Sequence, residues 1–299
     1  MTYVFLVLTT FFWAAVFHLG KYAVAYLSPL SVAAWRFALA GVVMAAYLAW
    51  HRTWDGAAVR RNFWPLVAMG VIGVFGFNAA MFFGLQTTSS VNAALIMSFY
   101  PALTAILSAW LNGERILPRQ LLGFAISLSG VVLIVSKGSL HNLLTLSFTH
   151  GDLLMLVGCA CWALYGVMPR RFIRGLPTLL MTTATILVGA ILLVTMAAVT
   201  ADDLLILPMP SVALAIAVMA LFGTVLAYLW FNTGIARIGA GRAAIFINLV
   251  PLFTTLIGVA LGQSVSGAQC LGAVLVIAGV ITTASARERG TPAAQPVRA

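Results

Sequence analysis

The sequence predicts an all-α integral membrane protein in which ten transmembrane helices form two five-helix repeats of inverted topology. Three observations predict this fold. The composition is strongly apolar, ten apolar segments are separated by short polar breaks, and residues of the first half recur in the second half at a nearly constant spacing.

The composition excludes the soluble classes of protein. Of the 299 residues, 63% are hydrophobic and 7% are charged, and the mean hydropathy is +1.08. Soluble domains are about half apolar and about a quarter charged. Because the surface-to-volume ratio limits the size of a soluble core, a soluble enzyme, a nucleic-acid binder and a disordered chain are all ruled out.

Ten segments are long and apolar enough to cross a bilayer, which takes about 17–25 helical residues. The breaks between them carry turn-forming residues or charge, as in Leu27-Ser28-Pro29 and Pro208-Met209-Pro210. The strict alternation of a membrane β-strand is missing, so the segments are predicted to be helices. The predicted spans are 3–21, 30–50, 63–84, 91–111, 119–136, 151–168, 177–199, 210–232, 243–262 and 267–285.

The basic residues predict how these helices are oriented. With ten crossings and a cytoplasmic N-terminus, only Lys21 and Lys137 lie outside, and Arg36 lies inside the second span. Short cytoplasmic loops are enriched in Lys and Arg. This asymmetry predicts a multi-pass protein of the cell (inner) membrane with both termini cytoplasmic. The basic residues predicted on the cytoplasmic side are Arg52, Arg60, Arg61, Arg115, Arg119, Arg170, Arg171, Arg174, Arg237, Arg242, Arg287, Arg289 and Arg298.

The two halves of the chain resemble each other. Trp13-Ala14 recurs 149 residues later as Trp162-Ala163, and other glycine, alanine and proline positions recur at offsets of 147 to 150. Each half holds five predicted spans, and an odd number makes the second copy enter the membrane from the opposite side. We therefore predict inverted repeats over 1–142 and 143–286, followed by a disordered cytoplasmic tail, 287–299. Secondary transporters have this architecture, with the substrate site between the halves.

Pro101 and Pro251 lie within spans at equivalent repeat positions. Proline removes a backbone hydrogen bond and clashes with the preceding turn, so each is predicted to bend its helix. Interrupted helices in corresponding positions point to a transport pathway, and we take both prolines as candidate hinge or gating residues. The alternative is that proline is simply tolerated in membrane helices.

A pattern of small residues around the two prolines occurs once in each repeat. It is Gly84, Ala93-Ala94, Pro101 and Gly113-Glu114, repeated as Gly234, Ala243-Ala244, Pro251 and Gly262-Gln263. This pattern resembles the EamA-like exporters of the drug/metabolite transporter superfamily, over nearly the whole chain. The resemblance implies ten helices, both termini inside, and outward movement of metabolites, commonly amino acids or drugs; among the members, aromatic amino-acid exporters are the most similar. The chain departs from the pattern at Gln263, where the family often has Glu.

Two tryptophans are unusual in their position. Tryptophan normally gathers at membrane interfaces, but Trp13 and Trp162 lie near the middle of their spans. An indole N–H at that depth needs a partner, so both rings are predicted to face a polar cavity. Phe17 lies about one turn after Trp13, and Tyr165 about one turn after Trp162, so each would line the same helix face as its tryptophan. Packing between helices is the alternative for the two tryptophans.

Further substrate-binding residues are predicted around Pro101 and in the second half. Aromatic walls, flexible methionines and a few amides suit an amphipathic, partly aromatic solute. Asparagine can instead hold two membrane helices together. This candidate set is Asn78, Met81, Phe82, Met97, Tyr100, Tyr228 and Asn248.

The ionisable residues bear on energy coupling. All six acidic residues lie at predicted helix ends or in loops, whereas proton-driven exporters of cations usually have an intramembrane carboxylate. Exchange or downhill export of a neutral or zwitterionic solute is therefore favoured. His18, also a candidate substrate-binding residue, could titrate near neutral pH. Arg36 could reach the interface or pair with a carboxylate of the protein or of the substrate.

Together these patterns predict a secondary transporter that exports amino acids, aromatic or other neutral ones, or related metabolites by alternating access, as a uniporter or exchanger. The alternatives are a multidrug or metabolite efflux carrier coupled to protons through His18, a channel, or an intramembrane enzyme. The last lacks an evident catalytic constellation, so no enzyme is expected. The cysteines lack CxxC spacing, and neither a metal nor a cofactor is expected. The predicted partners are a small-molecule substrate and the lipid bilayer, not nucleic acid; the oligomeric state is left open.

Overall fold

The computed structural model describes residues 1–88, 90–139, 141, 144 and 148–286. Within these residues ten helices are long and apolar enough to cross a membrane, which confirms the predicted fold class. The predicted boundary between 142 and 143 and the predicted tail 287–299 lie outside the described residues. The ten helices are α1 (Thr2–Ala23), α2 (Pro29–Trp50), α3 (Phe63–Gly84), α4 (Asn92–Asn112), α5 (Pro118–Ser136), α6 (His150–Phe172), α7 (Thr178–Thr200), α8 (Pro210–Ile238), α9 (Ala240–Ala260) and α10 (Gly267–Ala284).

Local sequence explains where several helices begin. Pro29, Pro118 and Pro210 occupy the first position of α2, α5 and α8, where the missing N–H of proline would have no helical partner anyway. Ser266 precedes α10 and accepts a hydrogen bond from the backbone N–H of Gln269, whose side chain in turn accepts from the N–H of Ser266. Such reciprocal capping satisfies donors that a helix start leaves free.

Both helices that contain an intramembrane proline are irregular just before it. In α4, regular α-helical structure stops at Ser98 and resumes at Tyr100, just before Pro101. In α9, a 3₁₀ segment over Ile245–Asn248 precedes the α-helical segment that contains Pro251. Both helices are therefore irregular at equivalent repeat positions, because proline cannot bond to the preceding turn. The role of these prolines as hinges stays a prediction.

A second pair of irregular segments was not predicted. Gly70–Gly76 in α3 and Met219–Leu226 in α8 are π-helical. Gly70 and Met219 are 149 residues apart, so the two segments begin at equivalent repeat positions. π-Helical turns are rare and often mark functional sites.

Close glycine contacts between α5 and α10 show that the repeats are inverted. A Cβ atom on Gly123 would lie 2.8 Å from the carbonyl oxygen of Gly279, and one on Gly130 would lie 2.6 Å from that of Gly272. The two equivalent helices are thus antiparallel. In the repeat, Gly123 corresponds to Gly272 and Gly130 to Gly279, so each copy presents the same two glycines to the other. Such reciprocal contact is what a two-fold axis produces.

The helices α2 and α7 form a second antiparallel pair of repeat equivalents. At one end, Asp203, which follows α7, lies beside Ser28 and Ser31 at the start of α2. At the other end, the side chain of Asn62, the last residue of the connection from α2 to α3, accepts a hydrogen bond from the backbone N–H of Arg174 at 2.9 Å. The second copy therefore runs through the bundle in the opposite direction to the first.

The first helix begins, and the last helix ends, on the same side of the bundle. The hydroxyl of Tyr3 donates to the carbonyl oxygen of Ala284 at 3.5 Å, and the guanidinium of Arg237 lies 3.3 Å from the hydroxyl of Thr2. We call this side the terminal end of the bundle and the other side the opposite end.

The glycine contact of α5 with α10 makes a testable prediction about stability. Gly130→Ala would place a methyl group 2.6 Å from the carbonyl oxygen of Gly272, so the two helices must move apart. Overpacking of this kind costs about 1–3 kcal/mol. We expect a lower thermal unfolding midpoint for the purified protein in detergent. Gly267→Ala is the matched control, because nothing lies within 4 Å of its added Cβ; equal midpoints for the two variants would contradict the contact.

Asp203 predicts a pH-dependent contribution to stability. Its carboxylate accepts hydrogen bonds from the hydroxyls of Ser31 (2.5 Å) and Ser28 (2.7 Å) and from the backbone N–H of Ser28. Burial raises the pKa of this carboxyl, but these hydrogen bonds outweigh burial and hold its pKa below the usual value. The stabilisation is therefore complete above the unfolded-state pKa of about 3.9 and is lost as the pH falls through the lower folded-state pKa.

We expect Asp203→Asn to lower the unfolding midpoint at neutral pH, because it removes the charge that accepts these bonds. The difference from the parent protein should shrink in acid, where the parent carboxyl is also protonated. Asp202→Asn alters an exposed neighbouring carboxylate and should change little at any pH. A midpoint difference that is independent of pH would show that Asp203 does not act through its charge.

Candidate functional site

Five aromatic residues meet at the centre of the bundle, where α1, α6 and α8 come together. We call Trp13, Trp162, Tyr165, Tyr228 and Phe231 the central aromatic cluster. The Trp162 ring stacks on Tyr165 with centroids 5.0 Å apart and lies 5.2 Å from Tyr228. The Trp13 ring lies 5.1 Å from Phe231. In this structure the rings contact one another rather than line an open space.

Trp13 and Trp162 contact each other directly, with ring centroids 5.7 Å apart. These two residues are repeat equivalents. Equivalent residues of two copies can touch only close to the axis that relates the copies. The central aromatic cluster therefore surrounds the pseudo-two-fold axis of the protein.

The predicted partner of the Trp13 indole is part of the π-helical segment of α8. Its Nε1–H donates to the carbonyl oxygen of Gly223 at 3.0 Å. Gly223 allows this close approach, because a Cβ atom there would lie 2.2 Å from the side chain of Val16 on α1. The indole N–H is satisfied by the backbone and not by a polar cavity.

Arg36 on α2 reaches the same carbonyl oxygen. Its Nη2 donates to the oxygen of Gly223 at 3.2 Å, and its Nε donates to the hydroxyl of Thr224 at 2.7 Å. The guanidinium carbon lies 5.0 Å from the centre of the Phe37 ring, and Phe37 contacts Tyr228 of the central aromatic cluster. The guanidinium thus bonds inside the bundle, next to the cluster.

Polar side chains surround the hydroxyls of the cluster. The Asn232 Nδ2 donates to the hydroxyl of Tyr165 at 2.8 Å and to that of Thr182 at 2.9 Å. The Asn78 Nδ2 donates a hydrogen bond to the carbonyl oxygen of Val74 at 2.6 Å. Asn232 and Thr182 are not among the residues that the sequence predicts, because Asn232 is the last residue of its predicted span and Thr182 lies near the start of its own.

Phe17, His18 and Asn248 are exposed or make their hydrogen bonds outside the cluster. Phe17 is 53% exposed, and the ring of His18 lies 3.1 Å from the carbonyl oxygen of Thr254 on α9. The Asn248 Nδ2 donates to the hydroxyl of Ser127 on α5 at 3.0 Å, which is the helix-joining role that was its alternative. The remaining predicted residues lie on α3 and α4: Tyr100 is buried, and Met81, Phe82 and Met97 are half-buried.

Different contacts hold α4 and α6 together at the terminal end. The carboxylate of Glu114 forms an ion pair with the guanidinium of Arg170, and the Asn112 side chain donates to the carbonyl oxygen of Val167 at 3.1 Å. At the opposite end, the repeat equivalents of the ion pair are Gln263 and Lys21. Gln263 carries no charge, so this position cannot form the equivalent ion pair.

Comparison with known proteins identifies the family of this chain. The EamA-like transporter family matches residues 1–136 and 149–285. The chain is 43% identical over 281 residues to the uncharacterized transporter YyaM of Bacillus subtilis, covering 94% of this chain and 92% of that protein. It is 26% identical over 229 residues to the aromatic amino acid exporter YddG of Ancylobacter novellus, covering 75% and 77%.

A third relative is the S-adenosylmethionine/S-adenosylhomocysteine transporter of Chlamydia trachomatis serovar L2, which is 29% identical over 266 residues, covering 86% of this chain and 81% of that protein. Ten apolar helices, their inverted arrangement and the match over both halves all agree. The chain therefore belongs to the EamA-like transporter family and is a multi-pass membrane transporter of that type.

Proposed function

We propose that this transporter exports amino acids, aromatic or other neutral ones, or related small metabolites by alternating access, as a uniporter or exchanger. The observation that carries the proposal is the contact between Trp13 and Trp162 on the pseudo-two-fold axis. Transporters of inverted repeats bind their substrate between the repeats, near the middle of the membrane. The central aromatic cluster occupies that place.

The chemistry of the cluster favours a solute with an apolar or aromatic part. A substrate between the repeats would replace contacts such as that of Trp13 with Trp162 by contacts of its own. Each aromatic pair is worth about 0.5–1.5 kcal/mol beyond burial, so a second aromatic ring can compensate for the separation at little cost. A small, strongly hydrated ion could not.

The names of two relatives support this class of substrate. One is an exporter of aromatic amino acids, and the other is a transporter of S-adenosylmethionine and S-adenosylhomocysteine. These molecules share an amino-acid group and an aromatic ring. A solute with both features suits a site that combines ring faces with hydrogen-bonding groups.

The charges at the two ends support an orientation in which the terminal end faces the cytoplasm. Arg52, Arg60, Arg61, Arg170 and Arg174 lie towards the terminal end, which the enrichment of basic residues assigns to the cytoplasm. The ion pair of Glu114 with Arg170 then joins α4 to α6 at the cytoplasmic end. Export would require this pair to separate so that substrate can reach the cluster, with Pro101 and Pro251 as the bending points.

Coupling to protons through His18 has less support. The His18 ring contacts the carbonyl oxygen of Thr254 where α1 packs against α9. His18 is therefore not part of the central aromatic cluster. Transport measured with and without a pH gradient would separate the two mechanisms, since a uniporter or exchanger of zwitterions should respond little to the gradient.

The first functional prediction concerns the two tryptophans on the axis. In liposomes containing the purified protein, we expect Trp13→Ala and Trp162→Ala each to lower the exchange of labelled phenylalanine at least tenfold, because each removes one wall of the site. Trp110→Ala, at a position 78% exposed, is the matched control. Unchanged exchange by both variants, with folding verified by gel filtration, would refute this site. Failure of the parent protein to transport any neutral amino acid would refute the substrate class.

The second functional prediction concerns the ion pair at the terminal end. Glu114→Gln should favour the conformation open at that end, since the closed form loses a charge pair. An exposed pair is worth at most about 1 kcal/mol, so we expect a shift of up to about fivefold in the ratio of the two conformations. Distances between spin labels at the ends of α4 and α6 would measure it.

The charge exchange that combines Glu114→Arg with Arg170→Glu should restore the parent ratio of conformations. Lys21→Gln is the control, because its partner position holds the uncharged Gln263. If the exchanged protein behaves like the single Glu114→Gln variant, the two residues do not act as a pair.

A further inference from the structure

We propose that Arg36 binds the carboxylate of the transported substrate while the central aromatic cluster holds its apolar part. The inference deepens the proposed function and rests on it. It assigns a specificity-determining residue and restricts the substrates to solutes that carry a carboxylate beside an apolar or aromatic group.

The depth of Arg36 in the membrane is the first argument. It lies seven residues after Pro29, the first residue of α2, which places its backbone about 10 Å along the helix. A charged side chain inside the hydrocarbon region is costly, and such residues usually serve a function and have a partner. An arginine that only had to reach the interface would extend along the helix towards the nearer end.

The contacts of the guanidinium orient it without neutralising it. They are the hydroxyl of Thr224, the carbonyl oxygen of Gly223 and the ring of Phe37. Throughout the described part of the chain, no carboxylate lies within 4 Å of Arg36. Its positive charge is therefore held in a fixed direction and lacks a negative partner from the protein.

The acidic residues of the described ranges are engaged elsewhere or exposed. Glu114 pairs with Arg170. Asp152 accepts hydrogen bonds from Thr88, Asn92 and Thr149, and Asp203 accepts from Ser28 and Ser31. Asp55 caps the short helix Gly56–Arg61, and Asp202 is exposed. The missing negative charge can thus come from a substrate.

The donors that remain on Arg36 match a carboxylate. A guanidinium has five N–H donors in one plane, and the contacts with Thr224 and Gly223 use two of them. The Nη1 atom makes no hydrogen bond to the described residues. Together Nη1 and Nη2 offer the parallel pair of N–H groups that binds a carboxylate in a bidentate manner.

Arg36 and the aromatic cluster meet at one backbone atom. The carbonyl oxygen of Gly223 accepts from both Arg36 and Trp13. Tyr228, the next aromatic residue of α8, lies four residues beyond Thr224, or about 6 Å along the helix. A solute held at Arg36 by its carboxylate would therefore have its apolar part beside Trp13 and Tyr228.

The test compares ligands that share a ring and differ in the carboxylate. In liposomes containing the full-length protein, exchange of labelled phenylalanine is measured in competition with phenylalanine, phenylalaninamide and phenethylamine. We expect the two ligands without a carboxylate to compete at least tenfold more weakly. We expect Arg36→Gln to weaken the competition by phenylalanine at least tenfold. The competition by phenethylamine should stay within about twofold of the parent, so the preference for the carboxylate is lost.

Arg36→Lys keeps the positive charge but loses the bidentate geometry, so it should keep part of the preference for ligands with a carboxylate. It also replaces Arg36→Gln in the test if that variant does not fold. Lys21→Gln removes a charge at the end of α1 and should leave the preference unchanged. Equal competition by all three ligands in the parent protein, or an equal loss for all three in the Arg36 variants, would overturn the inference. The second result would indicate that Arg36 only supports the π-helical segment.

The experiment also separates this inference from the proposed function. If the parent protein transports no amino acid, the proposed function fails, and thermal stabilisation by benzoate and phenylacetate is then compared with that by benzylamine. Stabilisation by the carboxylates that disappears in Arg36→Gln and is partly kept in Arg36→Lys would support the carboxylate site by itself. Its absence would overturn the site as well.

Discussion

The bilayer requires every backbone N–H and C=O group to find a partner within the protein, and the structure of the site follows from this constraint. Regular α-helices meet it over most of the chain. Where α8 changes to π-helical hydrogen bonding over Met219–Leu226, the backbone remains paired but its register shifts. There the carbonyl oxygen of Gly223 accepts two side-chain donors, from Trp13 on α1 and Arg36 on α2. One backbone atom thus joins three helices at the centre of the membrane.

The repeat supplies a symmetric frame whose polar residues are not symmetric. Glycines join α5 to α10 reciprocally, and Trp13 meets Trp162 on the axis. The repeat equivalent of Arg36, however, is Thr185 on α7. The hydroxyl of Thr185 lies 3.4 Å from the hydroxyl of Tyr165. Both positions face the centre of the bundle, which shows that the frame directs them there. Only one of them carries charge, so a substrate with a single carboxylate would bind in one orientation.

Sequence alone predicts the helices, the inverted repeat and the interruptions at Pro101 and Pro251, because hydropathy, charge and spacing are properties of the chain itself. It also predicts four of the five residues of the central aromatic cluster as candidate substrate-binding residues: Trp13, Trp162, Tyr165 and Tyr228. It does not predict which way each helix face points. Helical spacing predicts that Phe17 lies on the same face as Trp13, yet that spacing cannot show where a neighbouring helix packs. The π-helical segments were missed for a related reason, since their glycines resemble those of any membrane helix.

The position of the cluster on the axis bears on how such a carrier could work. When two inverted repeats rock against each other around a fixed central site, atoms near that site move least and those at the two ends move most. Trp13 and Trp162 could therefore keep contact with a substrate in both conformations, while Glu114 and Arg170 at the terminal end separate and rejoin. The opposite end has the uncharged Gln263 at the equivalent position. The two ends would then open at different energetic cost although the frame is symmetric, and the ion pair would set which conformation is populated without substrate.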